Sequence, residues 1–231
     1  MKRIILNIAI PSLLIFSAAF NTTCSAEPTW ENIGRENAGV RTAFIHPDNP
    51  RLIYIGSGSV LKSEDAGATW RSVLLVRGQN KAVNSLAFNP QEKNSLYAAT
   101  GNGLFYSRDQ GRNWKRIFQG KNYSENECKT AAVLLPRIYL GTQAGLFISK
   151  DSGRNWSKAA GKLGTSPILN IGYNLKDANQ LYLACADGVF QTKDAGEAWV
   201  RIFAANPAEY SNDREEQIGD WEEEEKTSHV R

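Results

Sequence analysis

The stretch Ser63-Glu64-Asp65-Ala66-Gly67-Ala68-Thr69-Trp70 decides the fold of this chain, because its pattern returns three more times. The later copies occupy residues 107–114, 149–156 and 192–199. Their closing tryptophans follow one another at intervals of 44, 42 and 43 residues. A fixed period in this range indicates a repeat architecture in which each copy is one supersecondary unit.

The chemistry of the octet is that of a turn. The Asp at its third position can accept hydrogen bonds from the backbone N–H groups that follow, and the Gly at its fifth position supplies a positive φ. The Ser or Thr hydroxyl at the first position can add a second bond, and the closing Trp buries a large ring. The octet is therefore expected to build a corner rather than a catalytic site.

The pattern S/T-x-D-x-G-x-x-W resembles the Asp-box, or BNR, repeat of β-propellers with a WD40/YVTN-like repeat architecture. Families that carry it include sialidases, sortilin-type receptor domains and the photosystem II stability/assembly factors. The resemblance covers about residues 30–203 and implies a structural role for the box, away from the binding site. The residues that take this role are Ser63, Asp65, Gly67, Trp70, Ser107, Asp109, Gly111, Trp114, Ser149, Asp151, Gly153, Trp156, Thr192, Asp194, Gly196 and Trp199.

Other elements of the repeat keep the same register. Tyr54, Tyr97, Tyr139 and Tyr182 recur at intervals of 43, 42 and 43 residues, within short aromatic and branched runs that end in small or glycine-containing turns. Another short run precedes each of them, so each copy predicts an inner, a second and a third strand, an Asp-box turn and an outer strand. We expect an all-β fold, a β-propeller of about four four-stranded antiparallel blades. The expected segments are blades within residues 27–206, at about 30–70, 71–114, 115–156 and 157–203.

The sequence contains one candidate outer strand more than four blades need. The residues Trp30-Glu31-Asn32-Ile33 match the start of an outer strand, although the fourth copy already has its own at residues 199–203. The ring is therefore incomplete, or it closes with an extra strand, or a second chain completes it. We expect the first of these, an incomplete and open arc of about four blades, whose exposed edge invites pairing with another chain.

The two ends of the chain differ from the blades. Residues 1–26 have the features of a secretory signal peptide, with Lys2 and Arg3 ahead of an apolar run over residues 4–20. The expected location is periplasmic or secreted, or the thylakoid lumen of a photosynthetic source. An uncleaved membrane anchor and lipidation at Cys24 are the alternatives. Residues 207–231 form an acidic tail with nine Asp and Glu, expected to be disordered or loosely helical.

Few residues suggest cofactor chemistry. After removal of Cys24, Cys128 and Cys185 remain, and export permits a disulfide between them. They fall at different places in their repeats, which favours two unpaired thiols. With only His46 and His229 and no Cys/His cluster, we expect no metal and no cofactor. His46 is expected to be a turn residue.

The charge distribution suggests a binding face. Residues 27–208 hold 22 Lys and Arg against 15 Asp and Glu, a net charge of +7. In propellers the links from an outer strand to the next inner strand share one face, so a basic partner-binding face is possible there, although solvation explains the charges equally well. A protein is the expected partner, with an anionic polysaccharide as an alternative and no nucleic acid. The candidate residues of this face are Arg71, Arg77, Lys81, Lys115, Arg116, Lys121, Lys129, Lys158 and Lys162.

Two function classes remain open at this level. The resemblance to assembly factors and sortilin-type domains implies an exported, non-enzymatic scaffold that binds a protein and assists assembly. The alternative is a glycoside hydrolase, sialidase-like or glucan-cleaving, or a carbohydrate-binding propeller. Most glycosidases need two central carboxylates, whereas the predicted inner strands carry Arg41 and no acidic residue. The prediction is therefore a non-enzyme.

Overall fold

A computed structural model of the chain describes residues 39–89, 91–174 and 176–205. The predicted signal peptide, Cys24, the strand at Trp30 and the acidic tail lie outside these residues. None of the helices in this described part has the length and apolar character that crossing a bilayer requires.

The described residues form four antiparallel sheets of four strands each, with the strands in chain order within each sheet. This confirms the all-β class and the four-stranded blades. The first blade contains β1 (Thr42–His46), β2 (Asn49–Gly56), β3 (Ser59–Ser63) and β4 (Arg71–Leu75). The second contains β5 (Val83–Ala87), β6 (Leu96–Thr100), β7 (Gly103–Ser107) and β8 (Lys115–Phe118). The third contains β9 (Cys128–Leu134), β10 (Arg137–Thr142), β11 (Gly145–Ser149) and β12 (Ser157–Lys158), and the fourth β13 (Ile168–Asn174), β14 (Asp177–Cys185), β15 (Gly188–Thr192) and β16 (Val200–Ala204).

Each outer strand belongs to the sheet of the three strands before it. Strand β4 pairs with β3, with Leu61 opposite Ser72 and Lys62 opposite Arg71. The boundaries expected at residues 71, 115 and 157 therefore fall inside blades, because the Asp-box joins two strands of one hairpin rather than two blades. Two links also contain short helices that the sequence did not indicate, α1 (Tyr123–Asn126) and a 3-10 helix (Gly161–Gly164).

The hydrophobic core lies between successive blades. The inner strands pack side by side in chain order, with β1 beside β5, β5 beside β9 and β9 beside β13. A separate buried cluster fills each of the three interfaces, around Tyr54 in the first, Tyr97 in the second and Tyr139 in the third. Because the second and third sheets each have a blade on both sides, apolar residues point to both faces of their second strands.

The two described cysteines lie in different clusters. Cys128 is buried between the second and third blades and Cys185 between the third and fourth, and both are free thiols. Burial raises the pKa of the Cys128 thiol. A buried, protonated thiol is a poor nucleophile.

Candidate functional site

The blades present two different ends to solvent. Because the strands alternate in direction, the first-to-second strand turns and the Asp-boxes share one end, here called the Asp-box end. The opposite end, here called the link face, carries the links at residues 76–82, 119–127 and 159–167 and the second-to-third strand turns. This topology places most of the candidate residues at one end or the other.

The Asp-box is a closed hydrogen-bonding unit. In the first copy, the Ser63 hydroxyl donates to Asp65 Oδ1 (2.8 Å) and accepts from the backbone N–H of Gly67 (2.8 Å). The backbone N–H of Thr69 donates to Asp65 Oδ1 (2.8 Å), and its hydroxyl donates to Asp65 Oδ2 (2.5 Å). These bonds lower the pKa of Asp65 to about 2, with the Thr69 hydroxyl as the largest cause. With both carboxylate oxygens engaged, the box stabilises the turn.

The other copies repeat this geometry with variations. Asn113 and Asn155 take the place of Thr69, and their N–H donors lower the pKa of Asp109 and of Asp151 to about 2. In the fourth copy Ala198 offers only its backbone N–H, which still lowers the pKa of Asp194.

The turn also contains a strained position that the sequence did not reveal. The fourth residue of each box has a positive φ, between 56° and 64°, although it is Ala, Gln, Ser and Ala rather than Gly. The following Gly has a positive φ as expected, from 83° to 96°. The hydrogen bonds within the box therefore hold a non-Gly residue in the left-handed region.

The links of the link face are tied to neighbouring turns. The Asn102 side chain donates to the Arg77 carbonyl (2.7 Å), which joins the first link to a hairpin turn of the second blade. In the second link, Asn122 caps α1 by accepting from Glu125 N–H (3.0 Å). In the third, the Ser166 hydroxyl donates to the Asp187 carboxylate. The link face is thus an ordered surface.

Four of the candidate basic residues lie exposed on the link face. They are Arg77, Lys81, Lys121 and Lys162, and no carboxylate of the described residues forms an ion pair with any of them. Their charges are available to a partner.

Two further cations at this end are already paired. Lys129 forms an ion pair with Glu127 (2.6 Å), and Lys158 lies 3.7 Å from Glu125 and over the ring of Phe147. The carboxylates that the sequence placed near this face thus neutralise part of it.

The remaining candidates lie on the outer strands. Arg71 and Lys115 are the first residues of β4 and β8, at the Asp-box end, and Arg71 bonds to Glu64 of the adjacent box (3.3 Å). Arg116 follows on β8 opposite Phe105. An outer strand runs from its box to the link face, so its first residue lies at the far end from the links.

A cavity of about 610 Å³ lies between the four inner strands. Its lining is largely apolar and includes Phe44, Leu86, Phe88, Ile171 and Tyr173. The rings of Phe44 and Phe88 stack with centroids 5.3 Å apart. Sequence reasoning did not identify this cavity, because its lining comes from four segments far apart in the chain.

The Asp-box end of the cavity carries an ion pair and His46. Lys93 pairs with Asp48 at 2.8 Å, which lowers the pKa of Asp48. His46 is buried, and its Nδ1 accepts from Asp48 N–H (3.3 Å). Its Nε2 therefore carries the proton and donates to the Lys93 carbonyl (2.9 Å). His46 is the last residue of β1, directly before the turn to β2, and its ring bonds to that turn and to the Lys93 carbonyl.

The shifted pKa values of the carboxyl groups all change in one direction. Every described Asp or Glu with a shifted pKa is shifted downward, by hydrogen bonds from cations or from N–H and O–H donors. A glycosidase general acid needs a raised pKa. Among the described residues, no cluster of three or more His, Cys, Asp or Glu is placed to hold a metal ion.

Comparison with known proteins supports the repeat and the fold. The BNR/Asp-box repeat family matches residues 105–116. The chain is 32% identical over 98 residues to xyloglucanase Xgh74A of Acetivibrio thermocellus, an alignment that covers 34% of this chain and 12% of that protein. The chain thus spans about an eighth of the length of this curated relative.

Two solved structures share the fold. The GH74 enzyme of Niastella koreensis superimposes with a TM-score of 0.58 at 23% identity, covering 71% of this chain and 30% of that one. YCF48 from Cyanidioschyzon merolae superimposes with a TM-score of 0.58 at 14% identity, covering 78% of this chain and 61% of that one. At these identities the likeness shows the fold alone.

Proposed function

We propose that this chain is an exported, non-enzymatic Asp-box propeller that binds an acidic protein surface through its link face. The observation that carries the proposal is the set of four exposed cations, Arg77, Lys81, Lys121 and Lys162, without carboxylate partners among the described residues. They lie on links tied to neighbouring turns, so little ordering entropy is lost when a partner binds. Export is supported by the N-terminal sequence only.

The charges outside this face support the assignment. At the Asp-box end, four of the cations are paired: Lys62 and Arg71 share Glu64, and Arg137 and Lys150 share Glu197. An unpaired positive patch steers an acidic partner toward one end of the molecule.

The test compares two charge reversals of equal size. One variant carries Arg77→Glu, Lys81→Glu and Lys121→Glu. The control carries Arg112→Glu, Arg154→Glu and Lys193→Glu, three exposed cations of the Asp-boxes at the opposite end. Both change the net charge equally, so only the position of the charges differs.

The probe is immobilised poly-L-glutamate, with binding measured by interferometry at several salt concentrations. Three exposed ion pairs at about 0.5–1 kcal/mol each correspond to about a ten- to hundredfold loss of affinity in the link-face variant. The control should retain the affinity of the unaltered protein within about threefold. Equal losses in both variants, or none in either, would refute a specific link face.

A second candidate function is binding of a neutral polysaccharide. Two observations favour it: the segment shared with a xyloglucanase and the aromatic lining of the central cavity. Calorimetry with xyloglucan oligosaccharides tests it, and Phe88→Ala should weaken any binding at the cavity. Release of reducing ends from xyloglucan would replace both proposals with a hydrolase.

A further inference from the structure

Three of the four blades bury one face of their sheet against the next blade, whereas the fourth blade leaves the equivalent face exposed. We call the face of a blade that packs on the following blade its trailing face, and the opposite one its leading face. On the trailing faces of the first three blades, Tyr54, Tyr97 and Tyr139 are 1%, 3% and 0% exposed. Tyr182 has the same register position in the fourth blade and is 38% exposed.

The neighbours of Tyr182 on this face are uncharged. Gly172, Gln191 and Val200 occupy the same row across the sheet, and Val200 is 65% exposed. In the other blades the tyrosine of this row is buried, whereas the outer-strand residue, Arg71 in the first blade and Lys115 in the second, is exposed and charged. Cores of protein interfaces are depleted in charge. The fourth trailing face thus has the composition of an interface.

The internal interfaces show what such a face binds. Tyr54 donates its hydroxyl proton to the Gln110 carbonyl (3.0 Å), and Tyr139 donates to the Ala195 carbonyl (2.8 Å). Both acceptors are the fourth residue of the Asp-box in the following blade. Two of the three buried trailing-face tyrosines thus donate a hydrogen bond to the next Asp-box.

The Tyr182 hydroxyl accepts hydrogen bonds, whereas those of Tyr54 and Tyr139 donate one to the next blade. It accepts from the side-chain amides of Gln180 (3.1 Å) and Gln191 (3.0 Å), and among the described residues it donates to no acceptor. One phenolic proton is therefore available for a partner.

A matching acceptor is exposed on the first blade. Ala66 occupies the fourth position of the first Asp-box, and its N–H donates to the Arg51 carbonyl (2.9 Å), as the N–H of Ala195 donates to Asn179 (2.9 Å). Ala195 is 5% exposed beneath Tyr139, whereas Ala66 is exposed. The first box therefore presents the surface that a trailing-face tyrosine recognises.

The leading face of the first blade is open only in part. Ala43 on β1 is exposed, whereas its counterpart Ile171 on β13 is buried in the third interface. Ile53 and Ile55 on β2 are already buried. The open region is thus the inner strand and the Asp-box, which is where the tyrosine contact forms in the other interfaces.

We propose that the trailing face of the fourth blade docks on the leading face of the first blade in a second copy of this chain, with Tyr182 donating to the Ala66 carbonyl. The contact repeats the inner-strand and Asp-box part of the three internal interfaces, because Ile53 and Ile55, the second-strand part of the leading face, are already buried. It is head-to-tail, and a two-fold axis closes two such contacts into a ring that contains the four described blades of each copy, eight in all. Eight is within the range of known propellers.

The first measurement is the mass in solution by sedimentation equilibrium over a range of concentrations, on protein expressed from all 231 residues. The expected mass is that of two chains, falling toward one on dilution. A single-chain mass at every concentration would overturn the proposal, since the face would then be covered by its own chain or left open.

Variants locate the contact. Tyr182→Lys and, on the other side, Ala43→Glu should each give a single-chain mass with an unchanged circular dichroism spectrum. Tyr123→Lys is the matched control, because Tyr123 is 56% exposed on the link face and should leave the dimer intact. If Tyr182→Lys does not fold, Ala43→Glu tests the same contact from the other side.

Mixing establishes the head-to-tail geometry. A heterodimer of the two variants has one intact contact. In it, the leading face of the Tyr182→Lys chain, which is unaltered, meets the trailing face of the Ala43→Glu chain, which is also unaltered. The mixture should therefore form heterodimers although neither variant associates alone. Failure to form them, or equal dissociation by Tyr123→Lys, would refute the proposal.

Discussion

Replacement of Tyr139 by Phe isolates one hydrogen bond between two blades. The ring stays in its buried site, and only the bond from the hydroxyl to the Ala195 carbonyl (2.8 Å) is lost. Burial raises the pKa of Tyr139 to about 12, so the phenol keeps its proton and acts as a donor at neutral pH. The Ala195 carbonyl, in a residue only 5% exposed, is then left without this donor.

The expected loss of unfolding free energy is about 1–2 kcal/mol, typical of a buried acceptor that loses its donor. For a domain of this size, about 2–4 °C per kcal/mol gives a fall in Tm of about 2–8 °C. Scanning calorimetry and urea titration measure it. Tyr123→Phe is the control, since that exposed ring should cost less than about 0.5 kcal/mol. Equal effects of the two substitutions would refute the idea that the tyrosine bond stabilises the blade interface.

Three further predictions concern the turns and the core. The pKa of Asp109 is lowered to about 2, from about 3.9 in an unfolded chain. The ionised carboxylate therefore stabilises the folded state above about pH 4, and this stabilisation is lost as the pH falls toward 2. Asp109→Asn should make Tm fall less steeply between pH 4 and 2, and an unchanged slope would contradict this. Gly103 has a φ of +103°, and an added Cβ would meet the Phe118 carbonyl, so Gly103→Ala should cost more than about 1 kcal/mol in urea titration, whereas Gly58→Ala, with open space around it, should change little. Cys128 should resist alkylation at pH 8 in the folded protein and react in urea, as peptide mass spectrometry would show; rapid labelling of native protein would contradict its burial.

The Asp-box turn could be predicted almost completely from the local sequence. The hydrogen bonds to Asp65 join residues within four positions of it, so the octet already contains all their partners. The same local pattern predicts the hairpin and, through its period, the blade. The positive φ of Ala66 was not predicted, because it arises from the closed set of bonds rather than from the residue type.

The candidate binding face was predictable only in part. The sequence placed cations in the links, and four of them are exposed there. It did not show that Glu125 and Glu127 would approach Lys158 and Lys129, because these pairings depend on how α1 folds over the neighbouring strand. The side-chain contacts of a link depend on its conformation, and the link sequences do not repeat from blade to blade, so no pattern predicts that conformation.

The sequence by itself determined the repeat, the order of strands and the turn chemistry, since these depend on interactions within about forty residues. Only the tertiary structure decided which surfaces are buried: Tyr54, Tyr97, Tyr139 and Tyr182 are equivalent in the sequence, yet the first three are enclosed and the last is exposed. The reason is that a blade cannot bury its trailing face alone. Burial of that face requires the next blade, and no local pattern records whether one is present.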